Sequence, residues 1–98
     1  MRRNKSLDEL LSKQLRIPEV GKSYILESME GEEGKSLVDA LFEVIGIIGI
    51  TEYAEMTGMQ RSNLSRLLSS GEIPKIETLN TLLSPYNLKT KLDVEEVA

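Results

Sequence analysis

The chain has 98 residues, a formal net charge of −4, 40% hydrophobic residues and 29% charged ones. That is the balance of one small soluble globular domain, with no room for a deep catalytic cleft beside its core. It contains no Cys and no His, which excludes thiol and imidazole chemistry, disulfides and thiolate zinc sites, so no metal or other cofactor is expected. The aromatics are Tyr24, Phe42, Tyr53 and Tyr86, so the core must be largely aliphatic.

In chain order, Arg2, Arg3 and Lys5 form a basic start that Asp8 and Glu9 close before any apolar stretch. This is no secretory signal, and a cytoplasmic location is expected. The apolar stretch 40–50 is broken by Glu43 and is too short to span a bilayer, so no membrane partner is expected. Ser6 and Glu9 have capping-box spacing and open a helix with Leu7, Leu10, Leu11 and Leu15 on one face. Pro18 suits the first position of a second helix carrying Val20, Tyr24, Ile25 and Met29, with a short strand at 24–26 as the alternative. After the polar loop 31–34, Ser36 caps a third helix through Leu37, Val38, Leu41, Phe42, Val44 and Ile45, which Gly46 and Gly49 end. Ile76, Leu79, Leu82 and Leu83 mark a later helix that Pro85 stops. The closing residues Leu88, Thr90, Leu92 and Val94 alternate with polar ones, which predicts a C-terminal β-strand.

The segment 50–69 has the spacing of a helix-turn-helix. Ala54 is the small residue where two helices cross, Gly58 supplies the left-handed turn, and Leu64 and Leu67 anchor the second helix. Tyr53 and Met59 fill the seam, and Thr51 is the expected N-cap of the first helix. The second helix then offers Gln60, Arg61, Ser62, Asn63, Ser65 and Arg66 to double-stranded DNA, with Arg61, Ser62, Ser65 and Arg66 facing outward. A guanidinium there can hold guanine through two hydrogen bonds, and the helix N-terminus favours a phosphate. Lys75, beyond Pro74, is expected on the DNA backbone. The chain as a whole is acidic, but residues 58–91 hold five cations against two anions, a local excess of positive charge.

Other patterns carry less. The stretch 31–36 ends like a phosphate-binding loop, but Met29 stands where the first glycine belongs and Glu32 and Glu33 would repel phosphate. Glu30, Glu32 and Glu33 match no calcium loop. No nucleophile or metal-ligand set accompanies the carboxylates, so the chain reads as no enzyme and takes no small-molecule substrate.

The segment resembles the Cro/CI (Xre-like) helix-turn-helix class, and the longer pattern resembles the HigA-like addiction-module antidotes (antitoxins). Matching elements are Pro18-Glu19, Tyr24-Ile25, the acidic-glycine loop 30–34 and Ala40-Leu41. They continue with Gly49, Thr51, Tyr53, Ala54, Thr57 and Gly58, then Arg61, Leu64, Arg66, Leu68 and Ser69, and finally Pro74, Thr78-Leu79 and the Leu88-Lys89 stretch. Gln60 replaces the usual Ser or Thr cap, and Pro85 interrupts a helix that family usually continues. The resemblance implies an operator-binding dimer that represses its own operon and a toxin partner, commonly a small ribonuclease. The expected architecture is therefore mainly α, a small lambda-repressor-like helix-turn-helix domain at 36–98 with an N-terminal helical extension at 1–35, the two forming one compact unit. A lone terminal strand needs a partner, and the economical one is its copy in a second subunit, giving a homodimer. A stand-alone phage-type regulator and a protein-interaction adaptor without DNA binding are the competing readings.

Overall fold

The computed structural model describes residues 5–91. Among these the chain forms six α-helices: α1 (Lys5–Leu15), α2 (Pro18–Met29), α3 (Leu37–Ile48), α4 (Ile50–Thr57), α5 (Arg61–Ser69) and α6 (Ile76–Leu83). A 3-10 turn (Ser84–Tyr86) follows.

Helix α3 is the hub. The Ser36 hydroxyl accepts the Asp39 N–H at 3.1 Å, as its capping position predicts. Ala40, Leu41, Val44, Ile45 and Ile48 are all buried. Gly46 does not end this helix, contrary to the sequence expectation; α3 runs on to Ile48, and Gly49 forms the junction with α4. A glycine inside a helix costs about 1 kcal/mol, which the burial of Val44, Ile45 and Ile48 around it outweighs. Both α1 and α2 pack on α3 and on each other, α4 packs on α3, and α5 packs on α4.

Residues 24–26 lie inside α2, the helix expected there, and not in the alternative strand, with Ile25 fully buried. Two further expectations are corrected. Ser6 lies within α1 rather than preceding it. The C-terminal β-strand is not present: among the described residues there is no strand, and 88–91 are irregular. The Thr90 N–H, which a strand would offer to a neighbour, donates instead to Asn80 Oδ1 at 2.8 Å. Alternating polarity specifies a strand only where another edge completes the ladder, and no such edge exists among the described residues. Leu92 and Val94, and Arg2 and Arg3 of the basic start, lie outside the described residues.

Two tyrosines tie segments far apart in the sequence to one another. The Tyr86 hydroxyl donates to the Leu15 carbonyl at 2.7 Å, and the Tyr53 hydroxyl donates to the Leu82 carbonyl at 2.5 Å. Their rings are tilted at 47° with centroids 6.4 Å apart, a favourable aromatic pairing. Burial pushes the Tyr86 hydroxyl up to about 12, and burial together with neighbouring Tyr86 pushes Tyr53 higher still. In the unfolded chain both ionise near the ordinary value of about 10. The unfolded state therefore loses these protons first. The stability tied to these neutral hydroxyls is complete below about pH 10 and is lost as pH rises towards 12. Urea midpoints measured from neutral pH to pH 11 should stay level and then fall above about pH 10.

Candidate nucleic-acid interface

The surface of interest is built by α4, its turn and α5. Helix α4 ends at Gly58, whose φ of 77° and ψ of 8° are left-handed and whose N–H donates to the Ala54 carbonyl at 2.9 Å. A β-carbon there would meet nothing within 4 Å, so the demand for glycine comes from the backbone alone. Thr57 supports the turn: its hydroxyl donates back to Tyr53 and Ala54 carbonyls and accepts the Met59 N–H at 3.3 Å. Ala54 is buried, which lets the two helices meet closely, and Leu64 of α5 is completely buried against them. Leu67 and Leu68 are half-buried on the same side.

With that face turned in, α5 presents the rest outward. Gln60 stands at the N-cap, exposed, with no hydrogen bond from its side chain to the helix amides. The first-turn N–H groups therefore have no side-chain cap and stay available to an anion. Ser62, Asn63 and Arg66 are exposed and Ser65 is half-buried. The centre of the outer stripe is Ser62, Arg66 and Ser69, at helical spacing. Ser69 matches the family pattern but was not expected among the DNA-facing residues, because its type suggests a helix end, and its hydroxyl donates back to the Ser65 carbonyl at 3.0 Å.

Arg61 lies on the flank towards α4 rather than at the centre. Its Nε–H donates to the Thr51 hydroxyl at 2.9 Å. Thr51 is thus not the N-cap expected of it, since Gly49 holds that position and Thr51 sits one residue into the helix. Its hydroxyl orients Arg61 instead, which no single-residue rule would reveal from sequence because the pair is ten residues apart on two helices. The tie occupies Nε and leaves both terminal nitrogens of the guanidinium for a forked contact.

Asn63, Arg66, Leu67, Ser70, Glu72 and Thr78 line a shallow depression of about 410 Å3 between α5 and α6. Lys75 is exposed at the N-cap of α6, the helix that carries Thr78. Of the site residues expected on α5, Ser62 and Arg66 thus lie on the exposed outer stripe, Arg61 and Asn63 are exposed beside it and Ser65 is half-buried, while Lys75 stands at the start of the neighbouring helix. No acidic residue lies within α5. On α4, Glu52 pairs with Arg16 of the α1–α2 junction at 3.4 Å, which offsets its charge near the ridge, although exposed pairs of this kind contribute little to stability.

Among the described residues there is no group of three or more potential metal ligands, and no helix is long and apolar enough to cross a membrane. Residues 5–95 match the model of a family described as "Probable addiction module antidote protein". No curated protein and no solved structure matches the chain.

Proposed function

The chain belongs to the probable addiction module antidote family, and on that premise we propose that it is the antitoxin of a toxin–antitoxin operon that also binds its own operator as a repressor. Family membership supports the antitoxin role and implies a toxin as partner. The DNA role rests on one observation: α5, locked to α4 through Leu64 and the Gly58 turn, exposes Arg61, Ser62, Asn63 and Arg66 around an N-terminus without a side-chain cap and without an acidic residue. Such an arrangement suits a recognition helix of the Cro/CI class that the segment resembles in sequence, whose N-terminal residues read base edges in the major groove. The chain is a binding protein rather than an enzyme and acts in the cytoplasm; the resemblance to operator-binding repressors, and not the terminal strand, supports a homodimer that sets two recognition helices about one DNA turn apart. Residues 36–98 serve DNA and the extension at 1–35 serves the protein partner.

Within the ridge the roles divide. Arg61, held by Thr51, and Arg66 read bases. Gln60, Asn63, Ser62 and Ser65 make the polar contacts to bases and phosphates beside them, and Lys75 touches the backbone. Arg61→Ala is therefore expected to lose roughly 1–3 kcal/mol on the cognate site and to relax base preference, whereas Lys75→Ala weakens all sequences alike and lowers the salt slope by about one. Titration of both variants on the protein's own promoter and on a scrambled duplex measures the difference. Equal losses on both duplexes for Arg61→Ala would remove it from base reading.

A further inference from the structure

The apolar face predicted for α1 is only half covered by the fold. Leu15 is fully buried and Leu11 packs against the core, but Leu7 is 62% and Leu10 52% exposed. On α2, Val20 is 39% exposed. Between the two helices runs a groove of about 510 Å3, floored by Leu11, Leu15, Val20 and Tyr24 and edged by Glu19 and Glu27. Leu7, one helical turn before Leu11, extends the same stripe. Scattered exposed apolar residues are ordinary, but a contiguous apolar groove with a polar rim marks a partner site. Its floor is fixed, because the Tyr24 hydroxyl donates to Glu43 at 2.5 Å.

The charges select the occupant. Among the described residues no cation lines the groove, and Lys13 and Arg16 line another flank of α1 beside Glu52. We propose that the toxin docks in this α1–α2 groove through a helical segment that carries apolar anchors flanked by lysine or arginine. Amphipathic helices bind such grooves through anchors one turn apart, and Glu19 and Glu27 give the basic flanks their counter-charges. A second copy of this chain meeting the groove about a two-fold axis would bring those glutamates towards their own equivalents, which disfavours self-association there. The groove shares no residue with α5, so the antitoxin can hold toxin and DNA at once. This assignment rests on the antitoxin reading above.

The test uses the full chain co-expressed with the toxin of its operon, with growth rescue, co-purification and titration as readouts. The double variant Val20→Glu/Ser23→Glu, at two exposed residues that line the groove, should lose rescue and bind toxin at least about tenfold more weakly, while binding its own promoter like wild type. Should that variant fail to fold by circular dichroism, Glu19→Lys/Glu27→Lys, both exposed, should give the same selective loss. Undiminished toxin binding in a folded variant of either pair overturns the groove assignment. So does a loss of homodimerisation, which would make the groove the surface between two copies. Failure of the wild-type chain itself to bind the toxin defeats the antitoxin reading and the groove assignment with it, an outcome visible before any variant is made.

Discussion

Replacing Tyr86 with alanine is expected to lower stability by roughly 3–5 kcal/mol, the range for removing a buried aromatic ring. The ring sits at the chain's point of closure. It lies against Gly21 of α2, where a β-carbon would collide with the ring itself and would lie 2.7 Å from the Leu15 carbonyl oxygen. It also pairs with Tyr53, and its hydroxyl satisfies Leu15 across 71 residues of sequence. The truncation therefore opens a cavity and strands a buried carbonyl in one step. For a domain of this size the melting temperature should fall by at least about 12 °C, followed by circular dichroism. A fall of only a few degrees would show that α2 and the C-terminal turn are not joined through this ring. Gly21→Ala probes the same closure from the other side. On an ordinary exposed helix that change gains up to about 1 kcal/mol, but here the collision with Tyr86 should reverse its sign.

Reversing the charge of Arg66 is the second large effect. Arg66 is exposed at the centre of the outer stripe of α5, so Arg66→Glu should leave the melting temperature near wild type. On operator DNA it removes a contact worth roughly 1–3 kcal/mol and turns a carboxylate towards the phosphates. Affinity should drop by about tenfold to a few hundredfold. Toxin neutralisation should persist, because the α1–α2 groove is built from other residues. Affinity unchanged within about threefold would place the DNA contact elsewhere on the molecule.

These two predictions mark how far the sequence alone could be read. The turn at Gly58, the anchor Leu64, the cap at Ser36 and the start of α2 at Pro18 were all legible, because each follows from a local steric or hydrogen-bonding need that one residue type meets. The Tyr86 closure was not, because nothing local ties residue 86 to residues 15 and 21. The same holds for the Arg61–Thr51 bond, which depends on how two helices cross. The C-terminal alternation misled for a related reason: period-two polarity is a local pattern, whereas a strand exists only through its partner, and the Thr90 amide found Asn80 instead. Gly46 misled because propensity is weak beside the burial that α3 achieves around it. On α1 the sequence marked Leu7, Leu10, Leu11 and Leu15 as one face, but it could not show that the fold covers only part of that face. On α5 the outward placing of Ser62 and Arg66 was legible, while the displacement of Arg61 to the α4 flank and the central place of Ser69 required the packed helices.

The central claim is that α5 reads operator DNA, and the most direct measurement is the affinity of the wild-type chain for its own promoter against a scrambled duplex across a series of salt concentrations. The account predicts a clear preference for the promoter, with log affinity falling linearly and steeply as log salt rises, as expected of a local basic ridge on an acidic protein. Equal affinity for the two duplexes, or no binding at low salt, would contradict it.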